Sequence, residues 1–327
     1  MNKSDISREF QSKRDDYNRL GQNFVDALKM FLNDKEIPYL EIYHRVKKFD
    51  SFFEKIDRKG YSDPFTEIED FCGIRIICYY ASDLEKINDI INDEFMVLEQ
   101  QDKSKLLGLK EFAYRSNHYI TSVKGSWLAA PNYRKLEGLK SEIQVRTILM
   151  HAWAEIEHKL NYKNDAQVPD KFQRKLFRLS AKFEEADEQF EELKIGIEEY
   201  NNSLSKKIKE KNEFSIIDDF NIDSFKTYLS LKIEELNHFE PNFSDAFDIL
   251  YGYTNNIQKI KQILDFLIKN YSKLLQELSK TEYGKVSTLD LSEIIYLTID
   301  IIDPELFKER APEDSDWVDI VENWQIK

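Results

Sequence analysis

Ser141-Glu142-Ile143-Gln144-Val145-Arg146-Thr147 alternates strictly between polar and apolar side chains. A period of two is the mark of a strand, with Glu142, Gln144 and Arg146 on one face and Ile143 and Val145 on the other. An acid, an amide and a guanidinium in a row suit a bound metal and phosphate groups better than a packed core. Upstream, Phe71-Cys72-Gly73-Ile74-Arg75-Ile76-Ile77-Cys78 reads as a buried strand, and Asp70 stands just before it. Strict alternation would place Asp70 on the face of Ile74 and Ile76, away from Arg75. Asp70 is therefore expected on a bend before the ladder begins. Asp70 and Glu142 then meet at the mouth of one sheet, where two carboxylates can share a divalent cation.

Around these two strands the pattern fills in. Residues 6–34 carry Phe10, Tyr17, Leu20, Phe24, Leu28 and Phe31 at helical spacing, and Pro38 interrupts them. Ile42, Val46, Phe49, Phe53 and Ile56 predict a second helix over 39–58, with Arg45, Lys47, Ser51, Lys55 and Arg58 mostly on its other surface. A helix is expected near 83–93, capped by Ala81-Ser82-Asp83. Strands are expected over 95–99, 118–123 and 139–147, and a helix over 148–163. This order predicts an α+β fold, a mixed or antiparallel sheet flanked by helices. After Pro169 the chain is purely helical. Phe172, Leu176, Leu179, Phe183, Ala186, Phe190, Leu193 and Ile197 keep a near-heptad stripe, which predicts one long helix to about residue 211. An all-helical C-terminal region follows, with breaks at Tyr251–Asn256 and from Pro304 to Pro312. Two units result, residues 1–212 and residues 213–327.

The bulk numbers restrict the function further. The chain has 327 residues and a net charge of −14. Residues 213–327 hold 23 acidic against 11 basic side chains, so nearly all the net charge lies there, and that region is a poor nucleic-acid surface. No apolar run approaches the ~20 residues of a membrane helix, and no signal peptide opens the chain. Cys72 and Cys78 fall on one face of one strand, too far apart for a disulfide. They read as buried thiols, and the expected location is the cytoplasm. No membrane or DNA partner is expected.

Four groups of residues carry chemistry. Arg45, Lys47, Ser51, Lys55 and Arg58 can grip a triphosphate, although on their own they describe an ordinary solvated face. Asp70 and Glu142 are the acidic pair. Tyr114-Arg115-Ser116-Asn117-His118 offers a Tyr to stack on a base and a His to meet a phosphate. In 153–163, an otherwise amphipathic helix, Glu157 and His158 offer polar groups on the exposed side. Zinc spacings, a Gly-rich phosphate loop, a dinucleotide fingerprint and paired His-Asp residues are all missing from the sequence.

Together, in order and spacing, these pieces resemble the RelA/SpoT nucleotide pyrophosphokinases over about residues 20–200. Arg45-Val46-Lys47, Ser51, Lys55 and Arg58 look like the family's ATP-binding helix. Asp70 followed by Phe71-Cys72-Gly73-Ile74-Arg75 looks like its magnesium-binding strand entry. The resemblance implies a synthetase fold of nucleotidyltransferase type in which Arg45 and Arg75 sandwich adenine. Asp70 and Glu142 would hold Mg2+, and Glu142 would accept a hydroxyl proton. Tyr114 would stack on the acceptor base, and Lys110, His118, Gln144 and Arg146 would contact the acceptor. The implied reaction moves the β,γ-pyrophosphate of ATP to the 3′-hydroxyl of GTP or GDP. The chain departs from the family before the stacking Tyr, where Ala113 replaces the usual Gly and a Pro-Lys-x-Asn-Gly loop is missing. Toxic family members that modify the 3′ end of tRNA or adenine nucleotides vary in this region, so the tRNA 3′ end or an adenine nucleotide stands as the alternative acceptor. An inactive nucleotide sensor is the third reading. Residues 213–327 would serve as a regulatory module, a homo-oligomerisation unit or a site for a protein partner, with plain helical packing the simplest account.

Overall fold

The computed structural model describes residues 3–102, 116–160, 170–211, 220–234, 236, 241–280, 290–310 and 316–325. The chain forms two compact units, Met1–Lys194 and Ile195–Lys327.

The first unit is built on a five-stranded sheet in the order β1-β2-β5-β4-β3. The strands are β1 (Tyr39–Val46), β2 (Cys72–Cys78), β3 (Met96–Asp102), β4 (Asn117–Ser122) and β5 (Lys140–Thr147). β2 and β5 pair in parallel, and the other neighbours are antiparallel. Among the described residues five α-helices accompany them, α1 (Lys3–Asp34), α2 (Phe49–Lys59), the short α3 (Pro64–Glu67), α4 (Ala81–Glu94) and α5 (Ile148–Leu160), and α6 (Asp170–Lys211) begins in this unit and runs on past Lys194. The mixed sheet with flanking helices is the α+β architecture the sequence predicts.

The sheet is two-faced because its strands alternate. Ile42 of β1, Cys72, Ile74 and Ile76 of β2, and Ile143 and Val145 of β5 join one buried core with Leu20, Phe24 and Leu28 of α1 and Ile87, Ile90 and Ile91 of α4. Burying aliphatic side chains of this size contributes roughly 1.5–3 kcal/mol each. α1 lies close on the sheet at Gly21, where an added Cβ would come within 2.5 Å of the His44 ring and 2.9 Å of Cys72 Sγ. The opposite face carries the polar members of each strand and stays open.

One expectation is corrected. Residues 39–58 are not one helix: residues 39–46 form β1, and the helix begins only at Phe49. Ile42, Val46, Phe49 and Phe53 have helical spacing by coincidence. Edge pairing of β1 along β2, with Ile42 opposite Ile76, decides the conformation. α2 then ends at Gly60, whose positive φ of 68° closes the helix by donating its N–H to the Ile56 carbonyl. Asp70 sits in a turn ahead of β2, as alternation required.

The long helix after Pro169 is present as α6. Its Phe183 ring packs on Trp153 of α5, with centroids 5.7 Å apart. The second unit contains α7 (Ile222–Lys232), α8 (Phe243–Tyr253), α9 (Ile257–Leu278), α10 (Leu291–Ile302), α11 (Pro304–Arg310) and α12 (Asp316–Gln325). Its own core includes Phe225, Leu229, Leu264, Leu267, Leu274 and Ile295. The break expected at 251–256 falls at Thr254–Asn256, and Asn256 caps α9. The stretch from Pro304 is instead helical through Arg310, because Pro suits a first helical turn. Among the described residues no helix is long and apolar enough to cross a membrane.

Candidate active site

Register places the polar side chains of the open face in two rows across four strands. One row runs Tyr43, Arg75, Gln144, His118; the next runs Arg45, Gly73, Glu142, Ile120. Gly73 contributes no side chain to its row, so space remains between Arg45 and Glu142. A cavity of about 330 Å³ occupies it, lined by Tyr43, Arg45, Lys47, Asp70, Gly73, Arg75, Glu142, Gln144, His151 and Glu155 among others. A smaller cavity of about 150 Å³ shares Asp70 and Glu142 with the first and is also lined by Lys55, Tyr61, Glu99 and His118. The two carboxylates thus stand where two compartments meet.

Asp70 is held by two ammonium groups. Lys47 Nζ lies 2.6 Å from one carboxylate oxygen and Lys55 Nζ 2.9 Å from the other. Burial pushes the Asp70 carboxyl upward, but the two lysines outweigh it and hold the group below its ordinary value. Glu142 Oε1 accepts from His118 Nδ1 at 2.7 Å, and Oε2 accepts from Gln144 Nε2 at 2.8 Å. Arg146 Nη2 donates to Gln144 Oε1 at 2.9 Å.

Arg75 donates to the Tyr43 hydroxyl at 3.0 Å and to Glu155 at 2.8 Å. Burial alone would lower the Arg75 guanidinium, yet Tyr43 and Glu155 raise it. Arg146 moves the other way: it is buried and lies near Arg75, and both lower it. The His151 ring is likewise lowered by burial and by Arg75. The larger cavity sets three cations, Arg45, Lys47 and Arg75, beside three carboxylates, Asp70, Glu142 and Glu155, so it offers both phosphate-binding cations and cation-binding carboxylates.

The expected residues are distributed as follows. Arg45, Lys47, Asp70, Arg75, Glu142 and Gln144 come together at the larger cavity. Arg45 lies in β1 rather than on a helix, which corrects the single-helix picture of the basic group. Lys55 and His118 line the smaller cavity. Ser51 and Arg58 lie on α2 and line neither, and Arg146 is buried beside Gln144. Lys110 and Tyr114 lie outside the described residues.

Sequence reasoning missed Tyr43, His151 and Glu155. Tyr43 was hidden by the helical reading of its segment. His151 and Glu155 have i,i+4 spacing and share one face of α5. That spacing was available, but Glu157 and His158 were singled out instead, and neither lines the cavity.

A sheet that gives one face to guanidinium, ammonium and carboxylate groups around a shared cavity suits an enzyme acting on phosphate groups. Residues 44–167 match the model described as a region found in RelA / SpoT proteins. GTP pyrophosphokinase YjbM of Bacillus subtilis (strain 168) is 32% identical over 181 residues, 54% of this chain and 82% of that protein. GTP pyrophosphokinase YwaC of the same organism is 35% identical over 136 residues, 38% of this chain and 59% of that protein. The crystal structure of small alarmone synthetase 1 from Bacillus subtilis aligns at 27% identity with a TM-score of 0.50, covering 58% of this chain and 98% of that one. The chain belongs to the RelA/SpoT family of pyrophosphotransferases, in its small alarmone synthetase-like form.

Proposed function

We propose that this protein is an ATP-dependent pyrophosphokinase whose acceptor is the 3′-hydroxyl of GTP or GDP. The observation that carries this reading is the placement of Asp70 and Glu142 between two cavities, the larger of them lined by Arg45, Lys47 and Arg75. The relatives named as GTP pyrophosphokinases support the choice of acceptor.

ATP lies in the larger cavity, its adenine between Arg45 and Arg75 and its phosphates toward Lys47 and Lys55. Ser51 and Arg58 approach the phosphates from α2. The acceptor enters on the side of His118, with Tyr114 against its base and Lys110 near its phosphates. Its 3′ oxygen attacks the β-phosphorus in line. A new oxygen–phosphorus bond forms, the bridge to the α-phosphate breaks, and AMP leaves with the bridging oxygen. Glu142 receives the hydroxyl proton.

Hard carboxylate oxygens at one cavity suit Mg2+, which is held by one or two carboxylates and completed by substrate phosphates. Among the described residues no cluster of three His, Cys, Asp or Glu side chains is preassembled for a metal. Asp70 and Glu142 would hold the ion, which when bound neutralises charge on the transferring phosphates.

The altered sequence ahead of Tyr114 favours one second reading, a toxin that modifies the 3′ end of tRNA. Incubation with labelled ATP and GTP, GDP, ATP or tRNA separates the two. Label on a guanine nucleotide is expected, label on tRNA selects the second, and no transfer to any acceptor leaves a nucleotide sensor. For residues 213–327 plain helical packing is the simplest reading, with regulation through their acidic excess, oligomerisation or a protein partner as the alternatives. Two buried thiols fit a cytoplasmic enzyme.

A further inference from the structure

Both oxygens of Glu142 accept from side chains that are themselves held from behind. A carboxylate can only accept, so the His118 nitrogen that meets it, Nδ1 at 2.7 Å, must carry the proton. The other ring nitrogen lies 2.6 Å from Ser116 Oγ, and in the neutral ring that nitrogen accepts from the Ser116 hydroxyl. A hydroxyl both donates and accepts, so Glu142 sets the tautomer, and Ser116 holds the far side of the ring so that Nδ1 stays aimed at Glu142. The second arm follows the same logic. An arginine can only donate, so Arg146 Nη2, 2.9 Å away, fixes the oxygen of the Gln144 amide toward itself. The amide nitrogen is then turned to Glu142 Oε2 at 2.8 Å. Without Arg146 the amide can rotate by half a turn and present its oxygen to the carboxylate.

The outer residues are closed off. Ser116 is 6% exposed, His118 8% and Arg146 9%. Such a guanidinium is poorly placed to meet an acceptor phosphate and well placed to hold its neighbour. We propose that Ser116 and Arg146 are positioning residues that orient Glu142, Ser116 by holding the His118 ring and Arg146 through the Gln144 amide. The proposal rests on Glu142 as the group that takes the acceptor's proton. A misaligned carboxylate slows the transfer itself and leaves ground-state binding of both substrates intact.

The test uses the full chain and four variants: Ser116→Ala, Ser116→Thr, Arg146→Met and Arg146→Lys. The expected result is a roughly ten- to hundredfold fall in kcat for Ser116→Ala and Arg146→Met, the usual cost of removing an outer partner of a site residue, with KM for ATP and acceptor unchanged. Ser116→Thr and Arg146→Lys, which keep a hydroxyl and a cationic donor, recover most of the rate. Nitrogen-15 spectra of the substrate-free protein give an independent readout. His118 is expected as a single tautomer protonated at Nδ1, with its Nε2 resonance displaced in Ser116→Ala by loss of the hydroxyl's hydrogen bond. A raised acceptor KM with unchanged kcat in Arg146→Met would make Arg146 a phosphate ligand and overturn its role. Unchanged His118 spectra and unchanged kcat in Ser116→Ala overturn the other arm. If Arg146→Met does not fold, Arg146→Lys and the Ser116 pair decide. Absence of transfer by the wild-type chain sinks the proposed function alone, because the spectra do not depend on turnover.

Discussion

Asp70 shows how a carboxylate is kept charged in a half-enclosed site. Two lysines, from the end of β1 and from α2, grip its two oxygens. Under the proposed function, triphosphate would compete with Asp70 for these ammonium groups and loosen the acid. Asp70→Asn and Glu142→Gln keep size and shape, so each is expected to lower kcat by about two to four orders of magnitude, with a thermal midpoint close to wild type. Near-normal turnover in either variant removes the acidic pair from the mechanism. Glu155 poses a different question, because it holds Arg75 at 2.8 Å from a half-exposed position on α5. An ion pair of that kind is worth about 0–1 kcal/mol. Glu155→Gln is therefore expected to leave stability nearly unchanged while lowering KM for ATP severalfold, as Arg75 is freed for the purine. A large loss of stability, or an unchanged KM, would show that Arg75 is not in competition. Of these residues, Arg75 was legible in the sequence as a polar break in an apolar run, Asp70 as the acid at that run's entry, and Glu142 as a polar member of an alternating strand. His151 and Glu155 were not, because an amphipathic helix offers several polar pairs and only the sheet beneath decides which one faces the site.

At the level of elements, local pattern succeeded wherever it agreed with pairing. β2 and β5 announce themselves by alternation, and α1 and α6 by helical period. β1 failed because its apolar residues fit both periods, and its partner β2 lies about thirty residues away, beyond any local window. α1 sits close on β1 and β2 only because Gly21 has no side chain. Gly21→Val is expected to cost about 1–3 kcal/mol through overpacking against His44 and Cys72, read as a fall in the thermal midpoint of the first unit. α6 is tied to the sheet by another device, the Thr147 hydroxyl donating to Asp187 at 2.6 Å. Burial, with Glu191 nearby, pushes the Asp187 carboxyl up to about 7. Since the folded value lies above the unfolded one, this group's contribution is full below pH ~4 and is lost as pH rises through about 7. Asp187→Asn removes that loss, so it is expected to raise the thermal midpoint relative to wild type at pH 8 and to bring little or no gain at pH 5. Equal shifts at both values would show that Asp187 does not titrate in this range.

Across the whole chain, two separate cores of unlike character stand out. The first joins helices to a sheet through stacked aromatic rings such as Phe10, Tyr17 and Phe71. The second is an all-helical assembly rich in Leu and Ile. Two cores predict two calorimetric transitions. Leu264→Ala, at a fully buried position of α9, is expected to cost about 2–5 kcal/mol in one transition only, leaving the shift caused by ATP in the other. A single cooperative transition, moved as a whole by the substitution, would deny that independence. The helical nature of the second unit was readable from composition and spacing. Its role was not, since acidity and amphipathic helices serve packing and regulation equally well.

The parallel pairing of β2 with β5 has a consequence for the life of the molecule before it is finished. Asp70 and Glu142 stand 72 positions apart, and the strand beside β2 that completes the site is the last of the sheet to be made. At translation rates of about 5–20 residues per second, roughly 4 to 14 seconds separate their synthesis on the ribosome. Throughout that interval the nascent chain holds one acid without the other, so under the proposed mechanism a growing polypeptide would transfer nothing until its sheet has closed.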